Sequence, residues 1–488
     1  MHQIQYGISG IRGDSTYFTE PVIRSIVSQF CQMIKDRPTQ TNRPYVLAGH
    51  DSRESGPGIL HHTRHALADA GIDFDPVGVI PTPTLQYARR HADGVIVISA
   101  SHNPPEENGY KLVLREGGFI DCTRFGYDDP ITSSRGSGVQ RDEIRRDRLI
   151  QEHGQAILHH HLMIGYEDDR LAFESKRNPL RVVVDACNGA GCVMDARFLE
   201  SLGFGENLWM INNDYNEGLT HGPSSSSLVP SPENLEDLAW KVREVGADIG
   251  FSQDPDADRL GFVTRDGPIS EEYLLPLLMA SILDEGRIDG NIVTNIATSR
   301  MVESVVSSFA DLYGYSDELC VRRTPVGEKN IIGGMDEQTI IGGEGSGGII
   351  LPGLGSGRDS FAAMALMIRL LWQHPEEDIP QLIDRYIPSP MIFGKRQIRV
   401  TAPVSYDAVR DMVSRSFPEA VIEDYTDGVW AIVPEEDIRF GIRKSNTEPM
   451  LRLVVEAVSQ GLVQKYLSRL VHHVEGNHSR RQGAVAHH

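Results

Sequence analysis

The run Ser99-Ala100-Ser101-His102-Asn103-Pro104 follows the apolar stretch Gly94–Ile98, with Asn108, Gly109 and Lys111 close behind. A serine presented where a strand stops can act as a nucleophile or phosphate carrier, or it can cap a turn; this segment alone supports both readings equally. Farther on, Asp254-Pro255-Asp256-Ala257-Asp258-Arg259 sets three carboxylates at alternate positions. Acids packed so closely repel unless something positive joins them, so the set reads as a site for one hard cation, with a solvated acidic turn as the competing reading. The spacing begins like an EF-hand, but Arg259 and Arg265 stand where that loop needs Gly and Glu. Mg²⁺ with a position open for a phosphate oxygen fits better than calcium.

Two further loops offer ligand groups. In Gly342-Gly343-Glu344-Gly345-Ser346-Gly347-Gly348 the glycines let backbone approach a ligand, and Glu344 and Ser346 suit sugar hydroxyls. The spacing is not that of a P-loop, which ends in Gly-Lys-Ser/Thr. In Arg443-Lys444-Ser445-Asn446-Thr447-Glu448-Pro449, with Arg452 beyond, arginines flank hydroxyl and amide donors. That arrangement suits a phosphate dianion, and equally an exposed basic turn.

These loops need elements to place them. Residues 45–48, 182–184 and 292–293 are short β-rich runs, each followed by a small or polar turn and then a helical pattern. Strands alternating with helices imply an α/β fold, with ligands at the strand C-terminal ends. The expected division is 1–148, 149–262 and 263–378 as three related α/β domains, 388–475 as a smaller C-terminal α+β domain, and 476–488 as an unstructured tail. Residues 212–232 read as a long exposed loop. Residues 273–283 form the most apolar helical stretch, too short to span a bilayer and expected as a buried helix.

The 488 residues carry a formal charge of −21, which excludes a broad nucleic-acid or anionic-membrane surface but not a small anionic ligand met by local arginines. The five cysteines include no CxxC pair, and the N-terminal run MHQIQYGISGIRGD lacks a signal-peptide pattern, so a cytoplasmic protein with reduced thiols is expected.

Together the loops resemble the α-D-phosphohexomutases. Ile8-Ser9-Gly10-Ile11-Arg12-Gly13 matches that family's opening motif, the four loops above follow in its order, and Thr324-Pro325-Val326-Gly327-Glu328-Lys329 is similar to its T-x-V-G segment. The resemblance spans residues 6–453 and implies four domains around a central cleft. It implies Ser101 as phosphoserine and Asp254, Asp256 and Asp258 holding Mg²⁺ with a phosphoserine oxygen. Lys329, Glu344 and Ser346 would bind the sugar phosphate, and Arg443, Ser445, Asn446, Thr447 and Arg452 the phosphate that is not reacting. Arg12 and Arg259 would neutralise the transferring group. Several members carry His where this chain has Glu328 and Gly348, which shifts the expected acid/base role to Lys111, its pKa lowered by neighbouring cations. The implied reaction interconverts hexose 6-phosphate and hexose 1-phosphate through a 1,6-bisphosphate, which also serves as activator. The sugar loop is closest to the archaeal-like branch, and glucosamine phosphate is the favoured substrate. Mannose or glucose phosphate is the alternative, and a non-catalytic phosphosugar binder the rival class. No nucleic-acid or membrane partner is expected, and the chain would be a monomer or homodimer.

Overall fold

The computed structural model describes residues 4–39, 43–126, 136–286, 290–314, 319–400, 404–424, 427–444 and 450–485. Its first sheet runs, edge to edge, Gln5–Gly7, Gly10–Asp14, Glu107–Leu114, Gly94–Ile98, Tyr45–His50 and Asp73–Val79, with the short strand Gly118–Phe119 beside Glu107–Leu114. The strand Tyr45–His50 pairs in parallel with both neighbours, while Gly94–Ile98 meets Glu107–Leu114 antiparallel. Gly94–Ile98 is buried at every position, because helices cover both faces and the strand is apolar without alternation. The helix Glu20–Lys35 supplies one cover: Ile23, Ile26, Val27, Phe30 and Ile34 recur at helical spacing and are all buried.

The same grammar returns twice. A five-stranded sheet places Val182–Asp185 in parallel between Leu208–Ile211 and Ile249–Gln253, with Leu260–Thr264 and Gly267–Ile269 antiparallel at the edge. A four-stranded sheet places Asn291–Asn295 between Cys320–Thr324 and Thr339–Glu344, all parallel, with Gly348–Ile350 antiparallel. The second and third units share one apolar core, built around the helix Ser360–Gln373, which is buried from Ser360 to Trp372. The helix Leu274–Asp284 joins that core, buried from Leu274 to Leu283 as its composition suggested. The helix Arg146–Leu158 packs on both Thr82–Ala88 and Ser360–Gln373 and so ties the first unit to this core.

The fourth unit is different. Its five strands, in the order Ile392–Arg399, Met450–Ala457, Ile438–Lys444, Val429–Val433 and Val421–Asp424, are all antiparallel and have a core of their own. The fold is thus three related α/β units and a smaller α+β unit. Its last helix, Gln460–Val485, runs past Gly476, so the segment expected to lack structure is helical to Val485. Residues 212–231 carry no regular element, as expected, but His221 within them is fully buried against Asp185 and Ser252. All five cysteines are free thiols.

Candidate active site

Ser101 sits just past the strand Gly94–Ile98, in a loop fastened from below. Arg53, fully buried, donates to the carbonyls of Ser101 at 2.5 Å, Asn103 at 2.7 Å and Glu107 at 2.9 Å, and also to that of Pro104. Asp51 accepts from Ser99 Oγ at 2.6 Å, and Ser99 Oγ accepts from the Ser101 amide at 2.8 Å. The capping is done by Ser99, and Ser101 Oγ is left to donate to Asp254 Oδ2 at 2.9 Å. Ser101 has φ 54°, a left-handed conformation that costs a non-glycine residue about 1–2 kcal/mol and is held here by the Arg53 bonds. His102 Nδ1 lies 3.3 Å from Ser101 Oγ. Burial, then the charges of Arg259, Arg12 and Arg358, hold that imidazole well below its usual range, so it stays neutral.

Asp254 follows the strand Ile249–Gln253, and the loop then turns through Ala257 at φ 56°. Oxygens of Asp254, Asp256 and Asp258 lie within 4.8 Å of one another, all buried. Asp254 Oδ1 accepts from the amides of Asp258 and Arg259, both at 3.1 Å. Burial, then Asp258 and Asp256, pushes the Asp254 carboxyl up to about 7. Among the described residues the buried oxygens Asp256 Oδ1 and Asp258 Oδ1 have no hydrogen-bond partner, and three converging carboxylates with such oxygens fit a hard divalent cation. Thr82, from the first unit, meets this loop twice: its amide donates to Asp256 O at 2.9 Å and its hydroxyl to Asp256 Oδ2 at 2.5 Å.

Lys111 is placed where the sequence put it but in a different state. Its Nζ donates to Asp256 Oδ2 and Asp258 Oδ2, each at 2.6 Å. Burial opposes its charge, and Asp256, Asp258 and Glu328 more than offset burial, so its pKa is raised. The expectation of a lowered pKa is therefore corrected: the near neighbours are carboxylates rather than cations. Arg12 Nη1 donates to Asn103 Oδ1 at 3.5 Å; burial lowers its pKa and Asp256 is the strongest opposing charge. Arg259 Nε is 3.9 Å from both Asp254 Oδ2 and Asp258 Oδ1.

The glycine-rich loop at residues 342–348 joins the acidic loop at residues 254–259 directly. The Leu260 amide donates to Gly347 O at 2.9 Å. Gly347 has φ +82°, and a Cβ on it would lie 2.4 Å from Leu260 O, so only glycine lets the two backbones meet. Glu344 ends the strand Thr339–Glu344, accepting from Ser346 Oγ at 2.7 Å and Asn295 Nδ2 at 3.1 Å. Arg358, which the sequence reading passed over, ion-pairs with Glu344 and reaches Asp258 Oδ2 at 2.8 Å. Its amide donates to Glu328 Oε1 at 2.7 Å. Burial would raise the Glu344 carboxyl, but Arg358 and Arg259 outweigh it and hold it low; Glu328 is instead raised, chiefly by burial. No spacing rule connects Arg358 to Glu344 or Asp258, so only the folded chain brings it into view.

On the fourth unit, Arg443 and Arg452 face each other in the register of neighbouring strands. Arg443 Nε donates to Asp427 Oδ2 at 3.2 Å, and the same oxygen accepts the Val326 amide at 2.7 Å, linking this unit to the T-x-V-G segment. Ser445, Asn446 and Thr447 lie outside the described residues. Lys329 is half-buried, and its charge is felt at Asp121 and Cys122.

Four profiles of one family match the chain in order: phosphoglucomutase/phosphomannomutase α/β/α domain I at residues 3–123, domain II at 166–267, domain III at 270–388 and the C-terminal domain at 396–473. The chain belongs to this phosphohexomutase family. It is 30% identical over 473 residues to a phosphoglucomutase/phosphomannomutase of Thermococcus kodakarensis, covering 95% of this chain and 96% of that one. It is 27% identical to a phosphoglucosamine/phosphogalactosamine mutase of Sulfurisphaera tokodaii, over 88% of this chain and 91% of that one. A crystal structure of a phosphoglucomutase/phosphomannomutase family protein from Burkholderia thailandensis shares the fold with a TM-score of 0.71 at 23% identity, over 96% and 97% of the two chains. The protein is accordingly a phosphohexomutase, an isomerase. Among its described residues, no helix is long and apolar enough to cross a membrane.

Proposed function

We propose that Ser101 is the phosphoryl relay of a hexose-phosphate mutase. Phospho-Ser101 gives its phosphoryl group to the free hydroxyl of a hexose 1- or 6-phosphate: the P–Oγ bond breaks, a P–O bond to the sugar forms, and the hydroxyl proton is released as Ser101 Oγ regains one. The 1,6-bisphosphate so formed turns in the cleft, and Ser101 takes back the other phosphoryl group. A free 1,6-bisphosphate primes Ser101 as activator. The observation that carries this reading is Ser101 Oγ on Asp254 at 2.9 Å, beside the acidic triad and clear of any capping role.

Mg²⁺ suits the triad because its oxygen ligands are hard and few; held by Asp254, Asp256, Asp258 and a phosphoserine oxygen, it would neutralise charge on the transferring group. Arg12, Arg259 and Lys111 add positive charge around the same atoms, and catalysis of this kind rests on positioning and neutralisation. Lys111 is held as a cation, whereas neutral His102, 3.3 Å from Ser101 Oγ, is positioned to exchange the proton there. Glu344 and Ser346 orient sugar hydroxyls, with Lys329 beside the substrate. Arg443, Arg452, Ser445, Asn446 and Thr447 hold the distal phosphate.

Glucosamine phosphate is the proposed substrate. Glu344 is held ionised, and a C2 ammonium gives it a charge-assisted hydrogen bond where a hydroxyl gives a neutral one. Likeness to the Sulfurisphaera mutase supports this, and likeness to the Thermococcus one supports mannose and glucose phosphates as the second reading. A coupled assay on glucosamine 6-phosphate, mannose 1-phosphate and glucose 1-phosphate, each primed with its bisphosphate, tests the choice. The highest kcat/KM is expected with glucosamine phosphate; a higher value with either neutral sugar overturns it.

A further inference from the structure

Arg358 comes from the loop before the helix Ser360–Gln373 and is only 4% exposed. One guanidinium reaches two loops: its Nη1 ion-pairs with Glu344 of the sugar loop, and its Nη2 donates to Asp258 Oδ2 of the metal loop at 2.8 Å. Its Nε stands 3.6 Å from Glu328 Oε2, and its own amide donates to Glu328 Oε1 at 2.7 Å, so Glu328 fixes the residue at both ends. The path of the side chain runs through the space above Gly348. A Cβ on Gly348 would lie 2.1 Å from Arg358 Cδ and 2.8 Å from its Cγ, the middle of the side chain rather than its movable tip. Gly348 has no positive φ, so its need for glycine here comes from Arg358 and not from the backbone.

We infer that Arg358 is a positioning residue for sugar binding: it holds the Glu344 carboxylate in register with Asp258, and Gly348 is glycine so that it can pass. The two positions, Glu328 and Gly348, at which this chain parts from His-bearing members are the two that seat this arginine. A planar guanidinium spans two carboxylates with separate N–H groups, which one ammonium cannot do at the same geometry. With Arg358 removed, Glu344 loses its orientation and the stronger of the two cations, with Arg259, that favour its charge, and the sugar ring loses a fixed acceptor. The inference rests on Glu344 as a sugar-binding residue.

Steady-state kinetics of the full-length enzyme at saturating Mg²⁺ test it. Arg358→Ala should raise KM for the sugar phosphate at least tenfold, while the protein still takes up one phosphate from the bisphosphate by intact mass. Arg358→Lys keeps the charge but not the span and should raise KM in the same direction; a wild-type KM in Arg358→Lys overturns the spanning role. Gly348→Ala should also raise KM in the parent, and should add little in the Arg358→Ala background; independent, multiplying losses overturn the link between the two residues. Glu344→Gln separates the two claims. If it raises KM and Arg358→Ala does not, the positioning role fails alone; if Glu344→Gln leaves KM unchanged, the sugar-binding reading fails beneath it.

Discussion

The site-bearing loops of the first three units and the fourth unit are built on opposite plans. In the first, Ser101, Lys111, Asp254, Asp256, Asp258 and Arg358 are almost wholly buried and pair across unit boundaries at 2.6–2.9 Å. Behind them the second and third units share one apolar core. The fourth unit has its own core and meets the third through ion pairs, Lys395 with Glu271 at 2.9 Å and Glu272 at 3.0 Å and Arg300 with Glu456 at 2.8 Å, with Phe393 of its first strand packed against the shared core. Shared apolar packing fixes positions to a fraction of an ångström, whereas a polar contact between separate cores holds units without merging them. The proposed reacting groups are therefore set on the part with the shared core, and Arg443, proposed to grip the far phosphate, on the fourth unit.

Breaking each side should give a different signature. On the first side, Asp256→Asn removes a charge that faces Lys111 and Thr82 and one carboxylate of the proposed metal triad. Activity should fall on the order of 100-fold or more, mostly in kcat, as for loss of one preorganised electrostatic group; near-normal turnover would remove the triad from the chemistry. On the jointed side, Arg443→Ala should raise KM about 10- to 100-fold, corresponding to about 1.5–3 kcal/mol for a charge-assisted bond, with a smaller change in kcat. A purely kcat effect would place Arg443 with the reacting groups and dissolve the contrast. The smallest effect on turnover is expected at the joint itself. Burial pushes Glu272 up to about 7, with Lys395 opposing and Glu271 adding. Between the unfolded value near 4.5 and about 7 the folded chain holds a proton that the unfolded chain has lost, so this group makes stability fall as pH rises through that window. Glu272→Gln should therefore be more stable than the parent at pH 8, by about 1–3 kcal/mol, with the gain vanishing near pH 4.5. Denaturant melts at the two pH values check it; a variant less stable at pH 8 would show that the ion pair outweighs the burial.

What the sequence revealed follows the same division. The strand-end position of Ser101 was legible because the apolar run Gly94–Ile98 marks a strand locally, whereas Asp254 and Glu344 were legible only as members of an acidic and a glycine-rich loop. The buried helix Leu274–Asp284 was legible from composition alone. Lys111 was found but its state was misread, because its charge partners lie 145 and 147 residues away in sequence. Arg358 and Thr82 were missed for the same reason: their contacts with Asp258 and Asp256 cross unit boundaries, and neither residue sits in a motif. His221 was missed because a loop rich in Asn, Gly and Ser reads as solvent-facing, while burial on Asp185 is a tertiary fact.

The relay at Ser101 is tested most directly by intact mass. The purified protein, incubated with hexose 1,6-bisphosphate and Mg²⁺, should gain one phosphate that maps to Ser101 and is discharged onto added hexose phosphate, and Ser101→Ala should neither gain it nor turn over. A Ser101→Ala protein that still carries the phosphate and still isomerises the sugar would contradict the account.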